Sequence, residues 1–200
     1  MKAEETMTGK SILDIDSNEK ERSIATLVTA FVHCPFSRWM LPDPEQYLEY
    51  FPKILLTGGS SAFESGTAHR TEDFLATAIW LAPGTSADEE AMGNLMQEAI
   101  SPDRRDEVFA VAEQIGLSHP KSDHWYLLSV GVDPTCQGCG YGSALLKSGL
   151  EVCDRYQMIS CLESANERNI PLYERFGFEV TGEIQAGSSP TIYPMVRMPR

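Results

Sequence analysis

The most constraining feature of this sequence is a glycine-rich stretch between an apolar run and a helical pattern. Residues 137–143 read QGCGYGS, residues 125–132 are apolar at almost every position, and apolar residues recur at helical spacing from Leu145 to Cys153. A short, continuous apolar run is typical of a strand that is covered on both faces. Glycine allows positive φ and lets backbone N–H groups approach a ligand closely. The stretch therefore predicts a strand–loop–helix unit that binds an anion at the helix N-terminus.

Patterns on both sides of this unit indicate an α/β fold. Helical periodicity and helix-ending residues mark four further segments: 24–32, a proline-interrupted stretch at 44–59, 88–117 with a break near residue 101, and about 169–177. Strand patterns mark a pair joined by a turn at 71–73, the segment 158–163, and a closing pair around a turn at 187–190. This order predicts an α/β sheet with an antiparallel end.

Composition and the cysteine pattern limit the partners. The formal net charge is −13 and no run of basic residues occurs, which argues against a nucleic-acid partner. Residues 1–20 hold no apolar stretch long enough for a signal peptide or a membrane span, so we expect a cytoplasmic protein with no membrane partner. The five cysteines are odd in number, which suits reduced thiols. Cys136 and Cys139 form a CxxC pair, but no second Cys/His pair follows at ligand spacing, so no metal site is expected.

The glycine loop fits two common phosphate-binding patterns poorly. A nucleoside-triphosphate loop needs Gly-Lys-Ser or Gly-Lys-Thr after a strand, and neither occurs. The dinucleotide pattern GxGxxG begins at Gly138 and Gly140, and Glu163 stands where a ribose-binding acid would lie. Ser143 takes the third glycine position, however, and the 37 residues from 164 to 200 are too few for further βαβ units. A NAD-type enzyme is therefore a lesser alternative.

A third pattern combines the loop with a second motif. QxxGxG is formed by residues 137–142, and residues 166–178 read NERNIPLYERFGF. In this order the two motifs resemble those of the GCN5-related N-acetyltransferase (GNAT) superfamily, which binds acetyl-CoA. The longer stretches WYLLSVGVDPTCQGCGYGSALL and LESANERNIPLYERFGFEV are similar to its puromycin N-acetyltransferase branch.

The resemblance implies a fold and a division of the chain. The GNAT fold has a central mixed, mostly antiparallel sheet with helices on both faces and a splayed central strand pair. Residues 1–20 are expected to be a flexible tail and residues 21–200 a single domain. Within that domain the resemblance assigns 21–120 to the acceptor side and 121–200 to the acetyl-CoA side.

The resemblance also assigns the cofactor contacts. In the family, backbone groups of the splayed strand bind the pantetheine arm, an N–H there stabilises the oxyanion, and the loop N–H groups bind the pyrophosphate. The motif positions so assigned are Val130, Gly131, Val132, Gln137, Gly138, Cys139, Gly140, Tyr141, Gly142, Ser143, Asn166 and Tyr173.

The resemblance implies that Tyr173 is the general acid that protonates the leaving thiolate. Leu172 and Phe176 lie four residues apart and predict the core face of the short helix, which leaves Tyr173 one position off that face. On the residues alone, Tyr173 is also an ordinary packing aromatic. Asn166 is likewise both a family contact to the cofactor and an ordinary turn or capping residue.

The general base is less well marked, because the central strand carries no carboxylate. Strict alternation places Tyr126, Leu128 and Val130 on one face of that strand and Leu127, Ser129 and Gly131 on the other. Glu163, at the end of the next strand, is the candidate base, acting directly or through water. An equally weighted alternative is that the Glu163 carboxylate only fixes the loop that follows the strand. His33, His119 and His124 remain candidates.

Together these features predict an acetyl-CoA-dependent N-acetyltransferase that acts on a small amine by direct attack in a ternary complex. Cys34 and Cys161 have no evident histidine partner in the sequence, so no acyl-enzyme is expected. The alternative from another class is a GNAT-like module that binds acyl-CoA without turnover.

Overall fold

The computed structural model describes residues 10–85 and 87–200. The helices in these ranges are α1 Lys20–Ala30, α2 Pro35–Met40, α3 Pro44–Gly58, α4 Ser60–Ser65, α5 Glu89–Ala99, α6 Arg105–Ser118, α7 Tyr141–Arg155 and α8 Ile170–Arg175. The strands are β1 Ile12–Asp14, β2 Ala68–Thr71, β3 Ala76–Leu81, β4 His124–Val132, β5 Ile159–Ser164, β6 Glu179–Val180 and β7 Tyr193–Arg197. The predicted break near residue 101 separates α5 from α6, whereas the short helices α2 and α4 were not predicted.

The strands form one seven-stranded sheet in the order β1-β2-β3-β4-β5-β7-β6. Neighbouring strands are antiparallel except β4 and β5, which are parallel and are connected through α7. A parallel pair requires such a crossover, because its two strands run in the same direction. The predicted strand–loop–helix unit is therefore β4, the glycine loop and α7, and the predicted mixed, mostly antiparallel sheet is confirmed.

The central strands β4 and β5 splay apart. Of the described residues, His124–Tyr126 pair with Ile159–Cys161, and beyond these three positions the two strands have no mutual register. β4 continues to Val132 along β3, so the rest of β4 is paired on one side only. The predicted splayed pair is confirmed, and it leaves a gap in the sheet that is open to a ligand.

A β-bulge at Leu128 changes the face on which the following residues lie. Ile79 pairs with Ser129 and Trp80 pairs with Leu127, so Leu128 is an additional residue on β4. Strict alternation was therefore the wrong prediction: after the bulge, Ser129 lies on the face of Leu128, and Val130 lies on the face of Leu127. The bulge thereby turns the Ser129 side chain toward the helices α1 and α3.

Gly131 lies beyond the bulge and pairs regularly with Thr77 on β3. Its missing side chain serves packing. A Cβ on Gly131 would lie 2.8 Å from the Cβ of Ala30 and 2.9 Å from Cδ2 of Leu27, both on α1. Gly131 therefore allows α1 to cross close over β4.

Two apolar cores cover the two faces of the sheet, as predicted. The first is formed by residues of α1, α3 and α5 with the strand residues Ile79 and Leu81. The second is formed by residues of α7 and α8 with Ala78, Trp80 and Leu127. Successive side chains of β3 thus point alternately into the two cores. The sheet therefore separates α1, α3 and α5 from α7 and α8.

Close packing and a buried ion pair hold α7 against the sheet. A Cβ on Gly149 would lie 2.3 Å from Nε1 of Trp80, so only glycine permits this approach of α7 to β3. At the other end of the helix, the guanidinium of Arg197 on β7 donates two 2.8 Å hydrogen bonds to the Asp154 carboxylate. These hydrogen bonds outweigh burial and lower the pKa of Asp154. The helix that follows the glycine loop is thus fixed in position.

The structure differs from the predicted flexible tail at Ile12–Asp14. These residues form the edge strand β1 and pair with β2 in the register Ile12 to Thr71. The polar composition of the first residues hid this strand, because an edge strand needs only one apolar face. The rest of the predicted tail from residue 1 to residue 9 lies outside the described residues.

Candidate active site

The glycine loop joins the end of β4 to the start of α7. Gly138 and Gly140 have φ values of 76° and 88°, in the left-handed region that glycine adopts without strain. The Gln137 side-chain amide donates a 3.3 Å hydrogen bond to the carbonyl of Val132 and so ties the loop to the end of β4. The loop is compact, and both of its left-handed positions are occupied by glycine.

The N-terminus of α7 presents free donors. Gly140 occupies the N-cap position and offers no side-chain cap. Among the described residues, the backbone N–H groups of Tyr141, Gly142 and Ser143 donate to no other group. The helix dipole adds about half a positive charge at this end. The loop therefore offers three N–H groups and a favourable field to an anion.

Lys10 adds a full positive charge to the loop. Its Nζ donates a 2.6 Å hydrogen bond to the carbonyl of Cys139 and lies 5.5 Å from the centre of the Tyr141 ring. Sequence reasoning missed Lys10, because it precedes β1 and lies 129 residues from Cys139 along the chain. The pairing of β1 with β2 at the edge of the sheet brings it there.

The Tyr141 side chain points away from the free donors. Its hydroxyl donates a 2.7 Å hydrogen bond to the Asp73 carboxylate in the turn between β2 and β3. This hydrogen bond is the main reason that the pKa of Tyr141 is raised to about 12. Tyr141 thus anchors the start of α7 to a neighbouring hairpin while its backbone N–H stays available.

A cavity of about 860 Å³ lies on the opposite face of the sheet, under α1, α3, α5 and α6. It reaches the sheet at the splay, where Ser129 of β4 and Glu163 of β5 form part of its wall. Its volume falls within the range of about 300–1,000 Å³ that is usual for small-molecule sites. The cavity and the glycine loop therefore approach the splayed strands from opposite faces.

Glu163 lies at the inner end of this cavity. Its side chain is 7% exposed, and Oε1 is 3.2 Å from Nε2 of His119. Its other oxygen, Oε2, is buried with no hydrogen-bond partner among the described residues. The bond that fixes the following loop comes instead from the Ser164 hydroxyl, which donates to the carbonyl of Asn166 at 2.9 Å. Glu163 is thus left with one oxygen available to a ligand.

Two histidines continue the hydrogen-bonded chain from Glu163 toward solvent. Nδ1 of His119 is 3.3 Å from Nε2 of His124, and Nδ1 of His124 is 2.8 Å from the carbonyl of Ser122. Both ends of this chain are acceptors, a carboxylate and a carbonyl, so its three contacts need three hydrogens from two imidazole rings. Two neutral rings carry only two. With an ionised carboxylate and two neutral rings, one of the three contacts therefore lacks a hydrogen, and the chain has room for one additional proton there.

Two further polar groups lie on the same stretch of β4. The Ser129 hydroxyl lines the same cavity as Glu163, is buried and unpartnered within the described residues, and the residue is 5% exposed. Burial, followed by the neighbouring Glu163 carboxylate, raises the pKa of Tyr126 well above its ordinary value. Tyr126 therefore stays a neutral phenol beside the carboxylate.

Cys161 lies next to His119 and His124 in space, a proximity that the sequence does not show because Cys161 is 37 or more positions away from them. One ligating atom each of His119, His124 and Cys161 falls within 4.8 Å of the others, which is a donor set that zinc accepts. The imidazole nitrogens are, however, already hydrogen-bonded to each other and to Glu163. Burial and Glu163 also raise the pKa of the Cys161 thiol, which keeps it in the un-nucleophilic thiol form.

Tyr173 occupies the other face of the sheet, in the core formed with α7 and α8. The prediction that it lies off the core face of α8 was wrong, since it is the buried residue of that helix at 7% exposure, while Leu172 and Phe176 are half-buried. Its ring lies 6.1 Å from that of Phe178 at 75°. Burial raises the pKa of its hydroxyl to about 12.

The structure brings some predicted site residues together and keeps others apart. Glu163, His119 and His124 form one cluster, whereas His33 is exposed and lies outside the cavity wall. Asn166 caps the turn after β5, its side-chain oxygen accepting from the N–H of Arg168 at 3.1 Å. The remaining predicted cofactor positions are Val130, Gly131 and Val132 on β4 and residues 137–143 in the loop, all on one continuous segment.

The chain resembles known proteins over most of its length. The sequence model of the acetyltransferase (GNAT) family matches residues 76–178, which is 103 of the 200 residues. A protein of Schizosaccharomyces pombe described as an uncharacterized N-acetyltransferase is 25% identical over 184 residues, covering 82% of this chain and 72% of that protein.

Solved structures show the same fold. A Corynebacterium glutamicum structure described as histone acetyltransferase HPA2 and related acetyltransferase has a TM-score of 0.69 at 21% identity, covering 97% of this chain and 98% of that one. The Drosophila melanogaster polyamine N-acetyltransferase has a TM-score of 0.69 at 14% identity, covering 94% and 99%. Within residues 10–85 and 87–200, no helix has both the length and the apolar character needed to cross a bilayer.

Proposed function

Because this chain belongs to the acetyltransferase (GNAT) family, we propose that it transfers an acetyl group from acetyl-CoA to the amine nitrogen of a small molecule, by direct attack in a ternary complex. The observation that carries the proposal is the meeting of three features at the splay of β4 and β5. These are a loop with free N–H groups on one face, a cavity on the other, and a buried carboxylate between them. The finer assignment to the puromycin N-acetyltransferase branch stays a prediction.

The chain's own residues fit acetyl-CoA. The uncapped start of α7 and the ammonium of Lys10 suit the negative charge of a pyrophosphate. The part of β4 beyond Tyr126, which lacks a partner on the β5 side in the described sheet, offers backbone groups to an extended arm. We propose that an N–H of Val130, Gly131 or Val132 stabilises the negative charge that develops on the carbonyl oxygen. The arrangement also fits the proposed division into an acceptor side, 21–120, and a cofactor side, 121–200.

Acetyl-CoA supplies an acetyl group activated as a thioester, so a bond from the amine nitrogen to the carbonyl carbon forms as the carbon–sulfur bond breaks. Glu163 accepts the proton that the nitrogen gives up, through its free oxygen Oε2. The histidines then carry the positive charge, because their chain to Ser122 has room for one additional proton. In this scheme His119 and His124 conduct the proton from the buried carboxylate toward solvent.

Tyr173 is proposed to donate a proton to the departing sulfur. Its pKa of about 12 keeps it protonated throughout the physiological range, as an acid must be. The same raised pKa makes it a weaker donor than a free phenol, whose pKa is about 10. We therefore propose a contribution at the low end of the range of about 10²–10⁴-fold that is typical for acid–base residues.

The test is thiol release from acetyl-CoA in the presence of a primary amine, for wild type and for Glu163→Gln. We expect Glu163→Gln to lower kcat/KM by about 10²–10⁴-fold while the acetyl-CoA affinity is unchanged, since the loop is untouched. His119→Asn tests the hydrogen-bonded chain of Glu163, His119 and His124, and His33→Asn is its matched control. Only His119→Asn removes a member of that chain, so only this variant should lower the acetylation rate.

Other outcomes would contradict the proposal. Saturating acetyl-CoA should raise the melting temperature, since a ligand at about 100 times its dissociation constant adds about 2.7 kcal/mol. Stabilisation by NAD instead would indicate a dinucleotide enzyme. Binding of acetyl-CoA with no thiol release for any amine would indicate an acyl-CoA-binding module. The cytoplasmic location also stays a proposal, supported by five free cysteines.

A further inference from the structure

The cavity that reaches Glu163 has a mostly apolar wall away from the splay. That wall includes three phenylalanines at the end of α1 and on α2 and α3, and three methionines on α2 and α5: Phe31, Phe36, Phe51, Met40, Met92 and Met96. Met92 and Met96 are four residues apart, so both lie on the same side of α5. Methionine adapts its shape to irregular apolar ligands. This part of the cavity therefore suits a hydrocarbon or aromatic group.

Two polar groups of the cavity wall, Glu163 Oε2 and the Ser129 hydroxyl, are buried and have no hydrogen-bond partner among the described residues. Both belong to the splayed strands β4 and β5. A buried acceptor without a partner is unfavourable, so a ligand that donates to Glu163 Oε2 gains free energy. An amine nitrogen has two or three N–H bonds and can make this donation. The splay end of the cavity therefore suits the nitrogen of the acceptor.

The remaining carboxylates of the wall do not form a second cation site inside. Glu89 and Asp123 are exposed at the rim, and Lys121 is exposed beside Asp123. A second ammonium group on the ligand would therefore lie among phenylalanine and methionine side chains, where an unpaired charge is strongly disfavoured. The overall charge of −13 attracts any cation to the protein but does not provide this second contact.

We infer that the acceptor is a primary monoamine whose single nitrogen is carried on an apolar body, aromatic or alkyl, of about the size of a phenylethyl or hexyl group. This inference rests on the proposed function and deepens it. Each methylene that enters the apolar wall adds about 0.8 kcal/mol, which is about fourfold in affinity. A polyamine, or a lysine side chain flanked by polar peptide, lacks that gain.

The experiment compares kcat/KM of the wild-type protein for butylamine, hexylamine, 2-phenylethylamine, 1,6-diaminohexane and spermidine, with acetyl-CoA saturating. Hexylamine and 2-phenylethylamine are expected to exceed butylamine by about fifteenfold, because two methylenes or their aromatic equivalent are buried in addition. Hexylamine is expected to exceed 1,6-diaminohexane by at least about tenfold, because the two differ only in the second charge. Equal or higher values for 1,6-diaminohexane or spermidine would overturn the inference while leaving the proposed acetyltransferase function intact.

A pair of variants on α5 tests the same point from the side of the protein. Met92→Glu places a carboxylate in the apolar wall, and it is expected to lower kcat/KM for hexylamine at least tenfold and to raise the preference for 1,6-diaminohexane. Gln97→Glu adds the same charge on an exposed position of the same helix and is expected to leave both values unchanged. Stabilisation by acetyl-CoA confirms that each variant is folded.

Two results would refute the inference. An unchanged preference in folded Met92→Glu would mean that the acceptor does not lie along α5. Absence of acetylation with every amine, together with normal acetyl-CoA binding, would overturn the proposed function and this inference with it. The wild-type panel is decisive even if Met92→Glu fails to fold.

Discussion

Replacement of Gly140 by alanine separates the role of the loop in binding from its role in the fold. Gly140 has φ 88°, and a Cβ placed on it would point into open space, where the nearest other atom is Lys10 Nζ at 3.6 Å. Gly140 is the N-cap residue, directly before the free N–H groups of α7. We expect a methyl group at this position to keep a phosphate oxygen from at least one of them. Because a hydrogen bond to a charged group contributes about 1.5–3 kcal/mol, CoA affinity should fall about 10- to 150-fold.

The backbone effect of this substitution needs its own control. An alanine held at positive φ costs about 1–2 kcal/mol, whatever the function of the position. Gly66, the C-cap of α4, has φ 71°, and no atom lies within 4 Å of the position that a Cβ would take there, so Gly66→Ala carries a similar backbone cost. We expect urea denaturation to show similar losses of stability for both variants. Only Gly140→Ala should lose CoA affinity in calorimetry.

The refuting result is specific. If Gly140→Ala binds CoA with wild-type affinity while its stability falls as in Gly66→Ala, the loop is a connector and the anion binds elsewhere. The structure also shows why Gly142 is a poorer test. A Cβ on Gly142 would point toward Val132, 3.5 Å from its Cγ2, so a larger side chain there disturbs packing before it disturbs a ligand.

Three further predictions concern the acid, the packing of α7 and the buried ion pair. Tyr173→Phe should lower the single-turnover acetylation rate by about 10²-fold with little change in CoA affinity, and a wild-type rate would assign the proton to another donor. Gly149→Ala should destabilise the fold by about 1–3 kcal/mol, because the added methyl group would overlap Trp80. Gly93→Ala, where no atom lies within 4 Å of the added Cβ, should instead stabilise its helix by about 0.5–1 kcal/mol. If urea denaturation gives both changes in stability the same sign, the packing argument is wrong. The pKa of Asp154 is lowered in the folded state, so its contribution to stability is present above the ordinary carboxyl pKa and is lost as the pH falls through the lowered pKa. The difference in stability between wild type and Asp154→Asn should therefore be constant near neutral pH and shrink in acid. A difference that grows in acid would refute the assignment.

The sequence predicted those parts of the site that are local in the chain. β4, the glycine loop and α7 follow one another directly, and the positions 137–143 are marked by glycines that a loop of this geometry needs. Asn166 and Tyr173 were likewise named from a motif of 13 residues, 166–178, and their roles at the site stay predictions. Local backbone requirements leave a readable pattern, because they restrict which residue types are tolerated at each position.

The parts that the sequence did not predict depend on distant pairing. The Leu128 bulge cannot be read from WYLLSVGV, since a strand buried on both faces shows no alternation whose phase could change. The hydrogen bond between His119 and Glu163 joins residues 44 positions apart, and the contact of Lys10 with the loop spans 129. These contacts follow from the register and order of the strands. No local pattern encodes either.

The bulge, in turn, decides what the cavity contains. Without Leu128 as an additional residue, Ser129 would face α7 and a valine would face the cavity. A single inserted residue therefore determines whether a serine hydroxyl or a valine side chain lines the cavity at the splay. This is a property of the strand register, so substitutions at Ser129 alone reproduce only part of it.

The separation of the two cores by the sheet has a consequence for how this protein can change over generations of mutation. Helix α5, with Met92 and Met96, lies on one face, and the glycine loop with α7 lies on the other. Substitutions at sites with no shared contacts have nearly additive effects. A lineage that drifts toward a new acceptor by altering α5 therefore keeps its donor chemistry intact. A directed library confined to α5 can explore acceptor preference while almost every member still binds the same donor.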